Sequence, residues 1–96
     1  MRGKPHRIQL SRRKGWRLPA NTIVVARPTR WGNPFRAAAP ADRAEAVQKY
    51  HCWLLHPARR NLRQEAGRCL RGANLACWCP PGEPCHADVL LKVANP

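Results

Sequence analysis

Two stretches of the chain are apolar at almost every position, which is the pattern of a strand buried on both faces. They are residues 22–26 (Thr-Ile-Val-Val-Ala) and residues 73–78 (Ala-Asn-Leu-Ala-Cys-Trp). A shorter alternating stretch at residues 7–10 predicts a third strand. Because helical patterns separate the two apolar strands, we expect them to be parallel neighbours joined by a right-handed crossover.

Three further segments carry apolar residues at helical spacing, and their bounds are marked by helix-end signals. Pro57 suits the first turn of the second of these helices, and Gly72 suits its end. The predicted helices are residues 43–55, 58–71 and 86–94. The order of elements predicts one small α/β domain over residues 7–96, with a short, partly parallel sheet flanked by about three helices. Residues 1–6 are expected to form a basic N-terminal tail.

Charge is the feature of the composition that changes this picture most. The 96 residues include 18 Lys and Arg but only 5 Asp and Glu, for a net charge of +13 at pH 7. Asp42 is the only acidic residue before Arg43. This bias favours a phosphate-bearing ligand or a nucleic acid as partner, although a GC-rich genome also produces Arg-rich chains. The basic loop at residues 11–17 suits phosphate contacts with base stacking on Trp16, unless Trp16 packs on the core.

The sequence contains neither a secretory signal nor a membrane span. Its basic start lacks the apolar segment that follows in a signal peptide. No stretch approaches the roughly 20 apolar residues that a transmembrane helix needs. The chain has five cysteines, and this odd number favours reduced thiols or metal ligands over a disulfide framework. We therefore expect a cytoplasmic protein that makes no membrane contact.

A cysteine-rich turn follows the second apolar strand, and it places Cys77, Cys79, Cys85 and His86 within ten residues. These four side chains could bind zinc, or Cys85 or Cys77 could be a reactive thiol with His86 as acid-base partner, or all could pack around a ligand pocket. We expect Cys77 and Cys79 to point to opposite faces of the strand. We therefore predict no tightly bound zinc, with zinc kept as the alternative, and place catalysis on Cys77, Cys85 and His86.

A stiff loop, residues 27–35, follows the first apolar strand and contains two prolines, a glycine and two aromatic residues. Ligands of open α/β sheets bind beyond the carboxyl ends of strands, where this loop and the cysteine-rich turn both begin. We expect Arg27 and Arg30 to bind phosphate and Asn33 to read a polar edge of the ligand. The alternative is a structural corner with its aromatic residues in the core. The predicted ligand-contacting residues are Arg12, Arg27, Arg30, Trp31, Asn33 and Asp88.

Three segments together resemble the domain-of-unknown-function family 4326, small proteins of bacteria and their phages. The segments are residues 8–16, residues 25–35, and residues 75–79 with 85–90. The most specific parts are Trp-Gly-Asn-Pro-Phe, which begins at Trp31, and Cys-His-Ala-Asp, which begins at Cys85. The resemblance implies that the basic loop, the stiff loop and the cysteine-rich turn work as one site. It implies no reaction, because the family's name records an unassigned function.

Two functions from different classes follow from these observations. The first is an enzyme or enzyme-like domain whose Cys/His/Arg/Asn cleft handles a nucleotide, a modified base or another phosphate-bearing ligand. The second is a non-catalytic nucleic-acid-binding module, with zinc as an optional stabiliser. The first requires a concave pocket that contains the cysteines and the arginines, whereas the second requires only a continuous basic face.

Overall fold

Three strands and three helices make up the domain in the computed structural model, which describes residues 4–95. The strands are β1 (Arg7–Gln9), β2 (Thr22–Val24) and β3 (Asn74–Cys77). The helices are α1 (Arg43–Leu55), α2 (Arg60–Cys69) and α3 (His86–Ala94). Short 3-10 turns at Pro40–Asp42 and Pro57–Arg59 lead into α1 and α2. The prediction of a small α/β domain with about three helices is confirmed.

The sheet is parallel throughout, with β3 in the centre and β1 and β2 at its edges. In the register, Leu75 of β3 lies opposite Arg7 on one side and Ile23 on the other. The predicted parallel pairing of the two apolar strands is therefore confirmed. Leu75 and Ala76 are fully buried, which explains why the β3 sequence is apolar on successive residues.

The strands are shorter than their apolar stretches suggested. β2 ends at Val24, and the chain then turns so that the backbone N–H of Thr29 bonds the carbonyl of Ala26 at 3.0 Å. β3 ends at Cys77, where its carbonyl accepts a hydrogen bond from the N–H of Leu10 at 2.8 Å. Both strands therefore stop at the same edge of the sheet, and the two loops that follow them lie side by side.

The hydrophobic core lies where the three helices pack together against β3. Its largest fully buried side chains include Tyr50 and Leu54 from α1, Leu70 after α2, and Leu90 from α3. The hydroxyl of Tyr50 donates a hydrogen bond to the carbonyl of Trp31 at 3.0 Å, so the buried phenol is satisfied. Helix α2 ends at Cys69, two residues before the predicted end, because the chain turns towards Gly72, whose φ is +78°.

Two further observations concern the N-terminal residues and the length of the helices. The first three residues of the expected tail lie outside the described part of the chain. His6 is joined to the sheet, since its N–H bonds the side-chain oxygen of Asn74 at 3.1 Å. Within residues 4–95, no helix has both the length and the apolar character that a membrane crossing requires.

Candidate metal centre and ligand cleft

Three cysteine sulfurs meet at the C-terminal end of β3. The Sγ atoms of Cys77, Cys79 and Cys85 all lie within 4.8 Å of one another. The Sγ atoms of Cys77 and Cys85 are 2.8 Å apart, and both residues are buried at 1% exposure or less. Cys79 is half-buried, and all three are free thiols. We call these three residues the sulfur cluster.

The prediction that Cys77 and Cys79 point apart is wrong, because side chains two residues apart lie on the same face of an extended chain. Trp78, which lies between them, takes the opposite, outward position with 46% of its surface exposed. The chain then turns back, with a backbone hydrogen bond from Glu83 to Pro80 at 3.2 Å. This turn brings Cys85 to the side that Cys77 and Cys79 share.

Arg7 of β1 holds the turn that carries the cluster. Its guanidinium group donates to the carbonyls of Glu83 at 2.7 Å and of Pro80 at 3.0 Å. It also donates to the Asp88 carboxylate at 3.0 Å, in the first turn of α3. One buried arginine therefore joins β1, the loop and the helix around the three thiols.

His86 lies beside the cluster at the start of α3 and is 8% exposed. Its Nε2 atom is 2.7 Å from the carbonyl oxygen of Val25, which can only accept, so Nε2 carries the proton. Burial lowers the pKa of His86, so the ring is neutral at pH 7. Its unprotonated Nδ1 then lies 3.8 Å from the Sγ of Cys85. The candidate group of metal ligands consists of the three cysteine sulfurs and does not include a nitrogen of His86.

The three thiols of the cluster differ in pKa. Hydrogen bonds from Cys77 and Cys85 lower the pKa of Cys79 far below the ordinary thiol value. Donation to Cys79 raises the pKa of Cys77 to about 11, and donation to the other two sulfurs, together with burial, raises the pKa of Cys85. In this arrangement a negative charge is favoured on Cys79, the least buried of the three residues, and disfavoured on Cys85 at the start of α3.

A cleft of about 330 Å³ opens over the sulfur cluster. The cluster and His86 line it on one side, and Phe35 and Trp78 supply aromatic rings. Two arginines also line the cleft. They are Arg27 in the stiff loop and Arg43, which is the first residue of α1. The cleft therefore combines thiols, an imidazole, two positive charges and aromatic surface in one concave space.

The predicted ligand-binding residues Arg27 and Asn33 both line this cleft. The side chain of Asn33 is engaged within the protein, since its Nδ2 donates to the Ala46 carbonyl at 3.2 Å and its Oδ1 accepts from the Phe35 N–H at 2.8 Å. Arg27 donates to the backbone carbonyl of Asn33 at 3.1 Å. Asn33 thus joins the stiff loop to α1 and holds the carbonyl that orients Arg27.

Two other predicted residues of the stiff loop, Trp31 and Arg30, are not among those that line the cleft. Trp31 is 5% exposed and belongs to the core, as the structural-corner alternative requires. The Arg30 guanidinium carbon lies 4.5 Å from the centre of the Trp31 ring, and the group faces Glu65 at 3.6 Å. The loop therefore places Arg27 in the cleft, whereas Arg30 covers the core next to α2.

Asp88 and Arg12 are near the cleft without lining it. Asp88 is the partner of Arg7. The Arg12 guanidinium carbon lies 4.6 Å from the centre of the Trp78 ring, so Arg12 reaches the cleft wall through that ring. Sequence reasoning missed Arg43 and Trp78, because a single arginine at a helix start has no motif and Trp78 had been assigned to the buried strand.

The sequence model of one family matches residues 8–96, and its description is "Domain of unknown function (DUF4326)". No curated protein and no solved structure matches the chain. The match includes β2, β3, all three helices and every cysteine of the cluster. The fold and the cleft described above are therefore those of a protein that belongs to the DUF4326 family.

Proposed function

We propose that this protein binds zinc through the sulfur cluster and uses the cleft above it to handle a nucleotide or a similar phosphate-bearing ligand with a planar ring. One observation carries the proposal. The thiols of Cys77, Cys79 and Cys85 line the same 330 Å³ cleft as Arg27 and Arg43. Metal-binding, anion-binding and stacking groups are thus available to a single small molecule.

Zinc suits the cluster by donor type and by spacing. Thiolates are soft ligands that select zinc, copper(I) or iron–sulfur clusters over magnesium and calcium. With Zn–S bonds of about 2.3 Å, tetrahedral geometry separates the sulfurs by about 3.8 Å. The Sγ atoms of Cys77 and Cys85 lie 2.8 Å apart and all three Sγ atoms lie within 4.8 Å of one another, so the present distances bracket that spacing.

Three protein ligands leave a fourth position on a tetrahedral metal. Zinc sites with three protein ligands and an open position are typical of enzymes, whereas structural sites have four protein ligands. A zinc ion held there would supply a Lewis acid to a ligand in the cleft. The neutral ring of His86 is fixed by its bond to the Val25 carbonyl and lines the cleft beside the cluster, with its unprotonated Nδ1 3.8 Å from the Cys85 Sγ.

The remainder of the cleft suits a nucleotide. Its volume lies at the lower end of the range of about 300–1,000 Å³ that is usual for small-molecule sites. Arginine guanidinium groups bind phosphate in bidentate geometry. The present partner of Arg43 is Glu83 at 3.8 Å, a half-exposed pair of the kind that contributes little and that a phosphate can replace. Phe35 and Trp78 offer ring faces to a base.

Metal content tests the first part of the proposal. Protein purified without chelator or affinity metal should contain one zinc per chain by elemental analysis, and Cys79→Ser should lose it. Cys52→Ser is the matched control, because Cys52 is exposed and lies outside the cluster. Zinc-free protein that also fails to take up added zinc, with all five thiols titratable, would contradict the zinc site.

Calorimetric titration with mononucleotides, nucleosides and inorganic phosphate tests the second part. We expect mononucleotides to bind more tightly than either component, and Arg43→Gln to weaken them about tenfold, the usual scale for a hydrogen bond to a charged group. Arg60→Gln, at an exposed arginine outside the cleft, should leave binding unchanged. Equal losses in both variants would show that the cleft is not where the ligand binds.

A further inference from the structure

We infer that the nucleotide handled in the cleft is part of a single-stranded nucleic acid, and that Trp78 and the basic loop hold the adjoining nucleotides. The basic loop is the segment of residues 11–17. The inference rests on the proposed function of the cleft and specifies its substrate class as a polymer in place of a free nucleotide.

The first observation is the position of Trp78. It is among the most exposed large apolar side chains in the described residues, at 46%, and it lines the cleft. The Arg12 guanidinium carbon lies 4.6 Å from the centre of its ring. Aromatic rings beside a basic groove are the stacking platforms of proteins that bind single strands without regard to sequence. Trp78, rather than Trp16, is therefore the exposed ring next to the positive charges.

The second observation is that the charges of the basic loop have no acidic partner within the described residues. Arg12, Arg13, Lys14 and Arg17 are all exposed. In residues 4–95, none of them forms an ion pair with a carboxylate. The loop is nevertheless shaped, since the N–H of Trp16 bonds the carbonyl of Arg13 at 3.0 Å and Gly15 has a φ of +84°. It is a fixed turn that presents four positive charges to solvent.

The third observation joins this loop to the cleft. The N–H of Leu10, just before the loop, donates to the carbonyl of Cys77 at 2.8 Å. The loop thus leaves the sheet at the residue that supplies the first ligand of the sulfur cluster. A chain of phosphates that leaves the cleft past Trp78 meets these free charges next.

Two other arginines are committed to backbone carbonyls and do not add to the basic surface beside the cleft. In and after α2, Arg63 donates to the carbonyls of Leu54 at 2.6 Å and of His56 at 2.9 Å, and Arg71 donates to the carbonyl of Ala94 at 2.9 Å. These two arginines satisfy backbone oxygens near helix ends. Neither of them lines the cleft.

The test compares a labelled single-stranded 12-mer, as DNA and as RNA, with a mononucleotide. At about 50 mM salt, where electrostatic binding is strong, we expect the 12-mer to bind at least tenfold more tightly. Arg13→Gln/Lys14→Gln should weaken the 12-mer at least fivefold and leave the mononucleotide unchanged. It should also reduce the slope of log K against log[salt] by about 1.4, since each phosphate contact on a single strand contributes about 0.7.

Arg60→Gln/Lys92→Gln is the matched control, because it removes the same charge from exposed positions outside the loop and the cleft. It should change neither the 12-mer affinity nor the slope. A 12-mer that binds no more tightly than the mononucleotide would overturn the inference and leave the cleft proposal intact. Equal losses in the two double variants, or equal affinity for duplex and single strand, would also overturn it. If neither ligand binds, the proposed function fails as well.

Discussion

Removal of the Arg7 guanidinium group tests whether the turn around the sulfur cluster is held from β1. Arg7→Met keeps an unbranched apolar stem and removes all of the donors of the side chain. In the native protein these donors bond two loop carbonyls, at Pro80 and Glu83, and the Asp88 carboxylate. The Arg7 side chain is 12% exposed, whereas the Asp88 side chain is 52% exposed. The hydrogen bonds to the loop carbonyls and the ion pair with Asp88 should therefore contribute differently to the free energy of unfolding.

The magnitude follows from this difference in exposure. A hydrogen bond to a charged group contributes about 1.5–3 kcal/mol, and loss of Arg7 leaves the partly buried Pro80 carbonyl without its donor. The half-exposed ion pair with Asp88 contributes at most about 1 kcal/mol. We expect Arg7→Met to lower the free energy of unfolding by about 2–3 kcal/mol, and Asp88→Asn by less than about 1 kcal/mol.

Urea denaturation of the metal-free proteins measures this free energy directly. In a domain of this size, the expected loss corresponds to a decrease in melting temperature of about 10 °C or more. A competition titration with a zinc chelator should show zinc affinity about tenfold weaker in Arg7→Met, since the loop that sets the Cys79 and Cys85 positions is released. If Arg7→Met is no more destabilising than Asp88→Asn, the idea that Arg7 holds the turn is refuted.

Three further substitutions and one chemical modification test other contacts of the protein. Tyr50→Phe removes a buried hydroxyl that bonds a loop carbonyl at 3.0 Å and should cost about 1–2 kcal/mol of unfolding free energy by urea denaturation. Burial raises the Tyr50 pKa above its usual value of 10.0, so at high pH the folded state keeps a proton that the unfolded state releases. As pH rises above about 10, the free energy of unfolding of the wild type should therefore fall, and its difference from that of Tyr50→Phe should disappear. Gly32→Ala places a methyl group 2.7 Å from Cγ and 3.0 Å from Cα of Arg27, and we expect a loss of about 1–3 kcal/mol together with weaker mononucleotide binding. Gly67→Ala, whose methyl group meets nothing closer than 3.7 Å, should instead raise stability by about 0.5–1 kcal/mol. In the metal-free protein, iodoacetamide should modify Cys79 first within the cluster, as peptide mapping can show, because a low thiol pKa supplies the thiolate.

The sheet and the helices were predictable because the hydrophobic pattern determines them almost alone. The apolar run at residues 73–78 identified a central strand, and Leu75 and Ala76 are indeed fully buried between two parallel neighbours. What the pattern did not give was where the strand ends. The apolar run continues through Trp78, but the backbone leaves the sheet after Cys77. The three sulfurs meet because the turn between Pro80 and Glu83 returns Cys85 to the face that Cys77 and Cys79 share, and the apolar pattern does not record that turn.

The ligand-binding residues were only partly predictable, for a related reason. Arg27 and Arg30 lie in the same loop, and the sequence does not distinguish their roles. Arg27 lines the cleft, whereas Arg30 lies over the ring of Trp31. Which arginine faces the cleft depends on the carbonyl of Asn33, whose position is set by a bond to α1. Such long-range backbone contacts have no signature in one sequence. Arg43 joins the cleft in the same way, through the packing of a helix that begins 16 residues after Arg27.

The sulfur cluster joins the final strand to the final helix, and this connection explains the composition of the loop between them. Cys77 closes β3, Cys85 immediately precedes α3, and the intervening residues include three prolines and a glycine at a φ of +81°. Such a loop has few backbone N–H groups with which to bond itself, so much of its shape comes from outside, from the hydrogen bonds that Arg7 donates. If the thiols bind zinc as we propose, the metal adds a second constraint, and because the same turn carries Trp78, a change at the thiols would also move the cleft wall. Zinc occupancy and oligonucleotide affinity should therefore change in parallel when contacts of the loop between Cys77 and Cys85 are removed. Loss of charges from the basic loop should lower only the oligonucleotide affinity.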